Sequence, residues 1–141
     1  MRNQVVRILP GERFTPFVLA RKLNARAILE STSFHKGRER YSVLLLMEGF
    51  RVYETEDGIF VRTVEGNTRR VRSAARDILD VLQYFADQHT PPHQDFPFPA
   101  GGIGYLSYEF AARCDTIRFR DRQDPLKMPL AEFLFGHVFV I

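Results

Sequence analysis

Tyr41 to Met47 is strongly β-prone, and it runs on into two further apolar segments, Phe50 to Thr55 and Ile59 to Val64, which flank Glu56-Asp57-Gly58. Asp-Gly between two such runs is a strong hairpin signal, because glycine tolerates the positive φ that a tight turn needs. This stretch commits the middle of the chain to antiparallel sheet. The rest must pack around it. Val5 to Leu9 reads as a short strand closed by Pro10-Gly11. Ala27-Ile28-Leu29 reads as a buried strand leading to Glu30 and Ser31. Thr68 to Arg72, after Gly66-Asn67, and Gly101 to Ser107 add two more.

Helical signals are fewer. Thr15-Pro16 opens a helix over Phe17 to Leu23 that stops near Asn24, since Thr is a good N-cap and Pro suits the first helical position. Ser73 caps a longer one, about Ala74 to Gln88, with Ala75, Ile78, Leu79, Leu82, Phe85 and Ala86 at helical spacing. Tyr108 to Arg113 reads as a short helix. Many strands joined locally and few helices define an α+β fold, a mostly antiparallel sheet with flanking helices.

The final segment, Phe133 to Ile141, is apolar, β-prone and followed by no turn residue or polar tail. Domains usually end at the surface. The expectation is a strand whose partners or continuation lie outside this sequence. An exposed apolar strand is also a pairing hazard, so a homodimer formed through that strand is expected.

The 141 residues are one domain's worth, enough to bury roughly 70% of the unfolded surface. A hydrophobic content of 45% with 13 Phe excludes a disordered chain. The net charge of +3 raises the question of nucleic acid. The basic patches, Arg69-Arg70-Val71-Arg72 with Arg76 and Arg118 to Arg122, are short and mixed with acids, so they read as solvated faces with no nucleic-acid partner. The single cysteine, Cys114, forms no internal disulfide. The start lacks the apolar core of a signal peptide, and no apolar run approaches the roughly 20 residues of a membrane span. A cytoplasmic location with no membrane partner is expected.

Several chemistries are missing. His89 and His93 have a metal-pair spacing, but Pro91 and Pro92 break the helix between them, so no metal site is expected. There is no Gly-x-Ser-x-Gly elbow and no P-loop. Gly102-Ile103-Gly104 imitates part of a dinucleotide fingerprint without its third glycine or its long βαβ unit. Cys114 reads as an inert thiol. No catalytic residue is assigned.

Two constellations are present. Ile28-Leu29-Glu30-Ser31 and Arg40-Tyr41-Ser42 converge at one end of a sheet if their strands pair. There Glu30 can meet an ammonium group, Ser31 or Ser42 can hydrogen-bond a carboxylate, and Tyr41 can wall a pocket for an amino acid. The plainer reading is a solvated strand end. The second constellation runs from Phe96 to Glu109 with Arg113 behind it. Its glycines mark close backbone approach or positive φ at a tightly packed strand-to-helix junction.

These segments resemble the amino-terminal domain of anthranilate synthase component I and of aminodeoxychorismate synthase component I. The family's Leu-Leu-Glu-Ser motif stands here as Ile28-Leu29-Glu30-Ser31, and its Gly-Arg-Tyr-Ser as Glu39-Arg40-Tyr41-Ser42. Its glycine-tyrosine segment spans Pro97 to Arg113, with one extra residue before the glycines and Glu109 for Asp. The match covers most of the chain. The resemblance implies that residues 1–141 are the amino-terminal regulatory and scaffolding part of a two-lobed αββα fold. It implies a carboxy-terminal domain, absent here, that binds chorismate and Mg²⁺, with ammonia coming from a glutamine amidotransferase partner. It implies that Leu29, Glu30, Ser31, Tyr41 and Ser42 are half of a tryptophan effector pocket. The Glu-Ser pair leans toward the anthranilate branch. A free-standing amino-acid-binding module is the rival reading.

Overall fold

A computed structural model describes residues 5–10, 14–31, 41–72, 74–89, 96, 100, 102–119 and 126–141. Ten elements follow one another: α1 (Pro16–Lys22), β1 (Ala27–Leu29), β2 (Val43–Thr55), β3 (Gly58–Thr63), β4 (Thr68–Arg70), α2 (Ile78–His89), β5 (Ile103–Leu106), a 3₁₀ turn (Tyr108–Phe110), α3 (Ala111–Cys114) and β6 (Ala131–Val140). The six strands form one antiparallel sheet in the order β4-β3-β2-β6-β5, with β1 beside the first residues of β2. The α+β class and the mostly antiparallel sheet expected from the sequence are what the fold shows.

Local chemistry explains most boundaries. Thr15 Oγ1 accepts the Val18 N–H at 3.3 Å, and Pro16 follows at the first helical position. Asn24 ends that helix with φ 54°, a left-handed value Asn tolerates. Gly58 turns the β2–β3 hairpin at φ 130°. The two segments expected at Tyr41–Met47 and Phe50–Thr55 are one 13-residue strand, carried through register shifts between Leu45 and Phe50. Such irregularities re-aim side chains and sharpen the local twist.

Some expectations need correction. Residues 5–10 are exposed and form no strand. β1 is only half-buried, with Leu29 exposed. The long helix begins at Ile78, with Asp77 Oδ1 accepting from Leu79 N at 2.9 Å; Ser73 lies outside the described residues, as does the loop 32–40. Its buried stripe is Ile78, Val81 and Leu82, while Leu79 is exposed.

The largest correction concerns β6. It pairs with β2 from Leu44↔Val140 to Glu54↔Ala131, and with β5 from Ile103↔Leu134 to Leu106↔Ala131. A strand expected at a cut edge is therefore interior along Ala131–Leu134. Past Leu134 its second edge meets no strand among the described residues, so pairing with a second copy is limited to that remainder. The cause is Gly104. A Cβ there would strike the Glu132 carbonyl oxygen and lie 2.6 Å from Phe133 Cα, so only glycine lets β5 settle against β6.

Two clusters hold the sheet. Val52, Ile78, Val81, Leu82, Phe110, Ala131 and Phe135 are buried beneath α2, with Phe50 and Phe85 packed against them. Phe50 stacks on Phe135 with ring centroids 4.7 Å apart. A smaller cluster, Val43, Leu45 and Ile103, takes in Ala27, Leu134 and Phe139.

Candidate functional site

The β1–β2 ladder ends at Leu29↔Val43. Carried one and two residues further, the same antiparallel register sets Glu30 opposite Ser42 and Ser31 opposite Tyr41. The pairing on which the first constellation depends is present, and all five residues singled out by sequence stand at one end of the sheet. Leu29, Glu30 and Ser31 are exposed, and Tyr41 and Ser42 are half-buried. This end offers a carboxylate, two hydroxyls, a phenol and an apolar residue, the groups that recognise a zwitterion attached to an apolar body.

Two hollows lie elsewhere. One of about 330 Å³ runs along β3 and β4 past Val61, Thr63, Glu65, Asn67 and Arg69. A second, of about 210 Å³, is lined by Arg26, Glu48, Arg51, Gly104, Tyr105, Glu132 and Leu134. Neither is lined by any of the five predicted residues.

The second hollow holds a charge network that the sequence did not disclose. Arg51 donates to Glu48 through Nε at 2.8 Å and Nη2 at 3.0 Å, and to Glu132 through Nη1 at 2.7 Å. Arg26 reaches Glu48 at 3.4 Å. The hydrogen bonds to Glu48 raise the Arg51 pKa above its ordinary value; burial opposes them, and Glu132 adds to the rise. The irregular register around Glu48 brings its carboxylate to Arg51 three residues on. Two arginines face two glutamates, and the network ties Arg26, just before β1, to β2 and β6.

Arg113 has a clear structural role. Its Nη2 lies 2.9 Å from Glu54 Oε1, and Glu54 Oε2 accepts the Ile78 N–H at 2.9 Å. Glu54 is 2% exposed. One buried carboxylate thus holds the first turn of α2 and the end of α3 on β2. Sequence reasoning missed Glu54, because an alternating strand such as Arg51-Val52-Tyr53-Glu54 gives no sign of which face its glutamate takes. The glycines of the same segment behave as expected. Gly102 has φ 84° and Gly104 allows the close approach already described; Gly101 lies outside the described residues.

No helix in the described residues is long and apolar enough to cross a membrane. No group of three His, Cys, Asp or Glu side chains among them can hold a metal ion. Cys114 is exposed, and His93 lies outside the described residues.

The fold is an α+β domain built on one six-stranded, mostly antiparallel sheet, at one end of which the five predicted residues stand. In sequence the chain is 58% identical over 139 residues to an anthranilate synthase component 1 of Spirochaeta aurantia, covering 97% of this chain and 28% of that protein. It is 25% identical over 118 residues to an anthranilate synthase component 1 of Bacillus pumilus, covering 81% of this chain and 22% of that protein. No family model matches, and no solved structure matches. The chain belongs to the anthranilate synthase component 1 family. It spans less than a third of the length of these relatives.

Proposed function

We propose that this chain is the amino-terminal regulatory and scaffolding domain of an anthranilate synthase component I, and that it contributes half of a tryptophan effector site while carrying no catalytic residue. The observation that supports the reading is the β1–β2 ladder, whose last pair, Leu29↔Val43, leaves Glu30 and Ser31 on one strand's flank and Tyr41 and Ser42 on the other's, at the same end of the sheet. Glu30 receives the effector's ammonium group, Ser31 and Ser42 hydrogen-bond its carboxylate, and Tyr41 and Leu29 border its side chain. The complete protein converts chorismate to anthranilate in the cytoplasm, with Mg²⁺ and chorismate held outside the present chain and ammonia delivered by a glutamine amidotransferase subunit. Identity to two proteins named anthranilate synthase component 1 favours this product over aminodeoxychorismate.

The test is steady-state anthranilate formation by the complete polypeptide, with tryptophan titrated in. A hydrogen bond to a charged group contributes about 1.5–3 kcal/mol. Glu30→Ala should therefore raise the tryptophan concentration for half-inhibition by about 10- to 100-fold at 1.4 kcal/mol per decade, with the uninhibited rate unchanged. Unchanged inhibition in Glu30→Ala would refute the assignment of Glu30, and release of aminodeoxychorismate in place of anthranilate would move the protein to the other branch.

A further inference from the structure

β4 is the last strand at its side of the sheet, and beyond it no strand lies among the described residues. Its residues, Thr68–Arg70, are all exposed. The ladder decides which of their backbone groups are free. The Val71 N–H donates to the Ile59 carbonyl at 2.8 Å, and the Thr63 N–H donates to the Asn67 carbonyl at 3.0 Å. Bonded and unbonded pairs alternate in an antiparallel ladder, so Arg69, midway between, also turns its backbone toward β3. Thr68 and Arg70 therefore present their N–H and carbonyl groups outward along the edge. Side chains follow the same alternation. Arg62 pairs with Thr68 and Phe60 with Arg70, which puts Arg62, Thr68 and Arg70 on one face, while Arg69 joins Val61 on the other. The hollow of about 330 Å³ runs past Val61, Thr63 and Arg69. Arg62, Arg69, Arg70 and Arg72 are exposed and form no ion pair among the described residues.

We propose that this edge docks an extended segment of a separate protein, added to the sheet as a further strand beside β4. The segment carries carboxylates at alternate positions with apolar residues between them. The outward peptide groups of Thr68 and Arg70 supply the main-chain bonds of strand addition, and the alternating side chains supply selection. Partner residues opposite Thr68 and Arg70 share a face with Arg62 and Arg70, where carboxylates meet guanidinium groups that have no other ion pair. The partner residue opposite Arg69 lies on the face of Val61 and the hollow, which suits an apolar side chain. A second copy of the chain is the poorer occupant. Two β4 edges side by side set arginine against arginine, and like charges directly opposite are destabilising. Nucleic acid fits less well too. Glu56 and Asp57, before β3, and Glu65, in the β3–β4 turn, interrupt the basic row, which matches a short peptide and not a continuous phosphate track. The edge shares no residue with the proposed effector site.

Fluorescence anisotropy of a short labelled peptide of strictly alternating Glu and Val, titrated with the complete polypeptide, tests the assignment. The peptide should bind, and amide hydrogen exchange at Thr68 and Arg70 should slow when it does. Arg70→Glu should weaken binding by about tenfold, since attraction becomes repulsion. Thr68→Pro removes an outward N–H while leaving the bonds to β3 in place, and should also weaken it. Arg70→Glu, at an exposed position, remains readable if Thr68→Pro does not fold. A peptide of the same composition with its Glu and Val in two blocks should bind about tenfold more weakly, because its carboxylates fall on both faces. Equal binding by the block peptide would reduce the contact to charge alone and overturn strand addition. Unchanged binding in both variants would overturn it, as would tighter binding of a single-stranded oligonucleotide at the same edge. No binding by the parent would mean that the arginines only guard the edge against pairing, and the proposal would fall.

Discussion

Gly104→Ala should destabilise the chain by about 3 kcal/mol or more, near the severe end of single substitutions. The added methyl would meet the Glu132 carbonyl oxygen, with Phe133 Cα 2.6 Å away and Phe133 Cγ 2.7 Å away. Two of these atoms are backbone in the neighbouring strand and cannot swing aside as a long side chain does. Relief requires β5 to lift from β6, which breaks the pairing from Ile103↔Leu134 to Leu106↔Ala131 and loosens Ile103 from its cluster. Gly66→Ala is the contrast. Gly66 has φ 88° but nothing within 4 Å of an added Cβ, so its cost is the backbone conformation alone, about 1 kcal/mol on the scale of the left-handed penalty. Urea unfolding of both variants separates the two costs. Equal small losses would mean that β5 does not depend on the missing side chain.

Glu54→Ala should cost about 3 kcal/mol. Removing one member of a buried charge pair typically costs about 3–5 kcal/mol because the other charge is stranded. Here the stranded partner, Arg113, has a side chain 43% exposed and can rehydrate, which places the loss at the lower end of that range. A second contribution arises at α2, where the Ile78 N–H loses its acceptor inside a fully buried residue. Arg113→Ala keeps the acceptor of the Ile78 N–H but strands the Glu54 carboxylate, whose side chain is only 3% exposed, and should cost about 3–5 kcal/mol, at least as much as Glu54→Ala. In a double-mutant cycle the two losses should fall short of additivity by about 0.5–3 kcal/mol, the range for residues in contact. Strict additivity in denaturation midpoints would show that the pair does not act as a unit.

How much of this was legible in the sequence depended on the range of the interaction concerned. The β2–β3 hairpin announced itself through Asp57-Gly58, and α1 through Thr15-Pro16, because turns and caps are local chemistry. The junction at Gly102 and Gly104 was legible as a demand for glycine, though not as the reason β6 lies inside the sheet. That required knowing that β5 returns to pair with a strand about 30 residues later, and no local pattern records such a return. The same limit hid the Glu54–Arg113 and Arg51–Glu132 pairs, whose members are far apart in sequence. The start of α2 was misplaced because Ala74 and Ala75 are good helix formers, while Asp77 supplies a nearer cap. The candidate site was legible as five residues in two motifs.

On the proposed reading, this chain supplies half of an effector site and does not hold the ligand by itself. Calorimetry with L-tryptophan on residues 1–141, beside the complete polypeptide, tests it most directly. The expected result is micromolar binding by the complete polypeptide and none, or only millimolar binding, by the chain alone, corresponding to a difference of about 4 kcal/mol per thousandfold in affinity. Micromolar binding of tryptophan to residues 1–141 alone would contradict it.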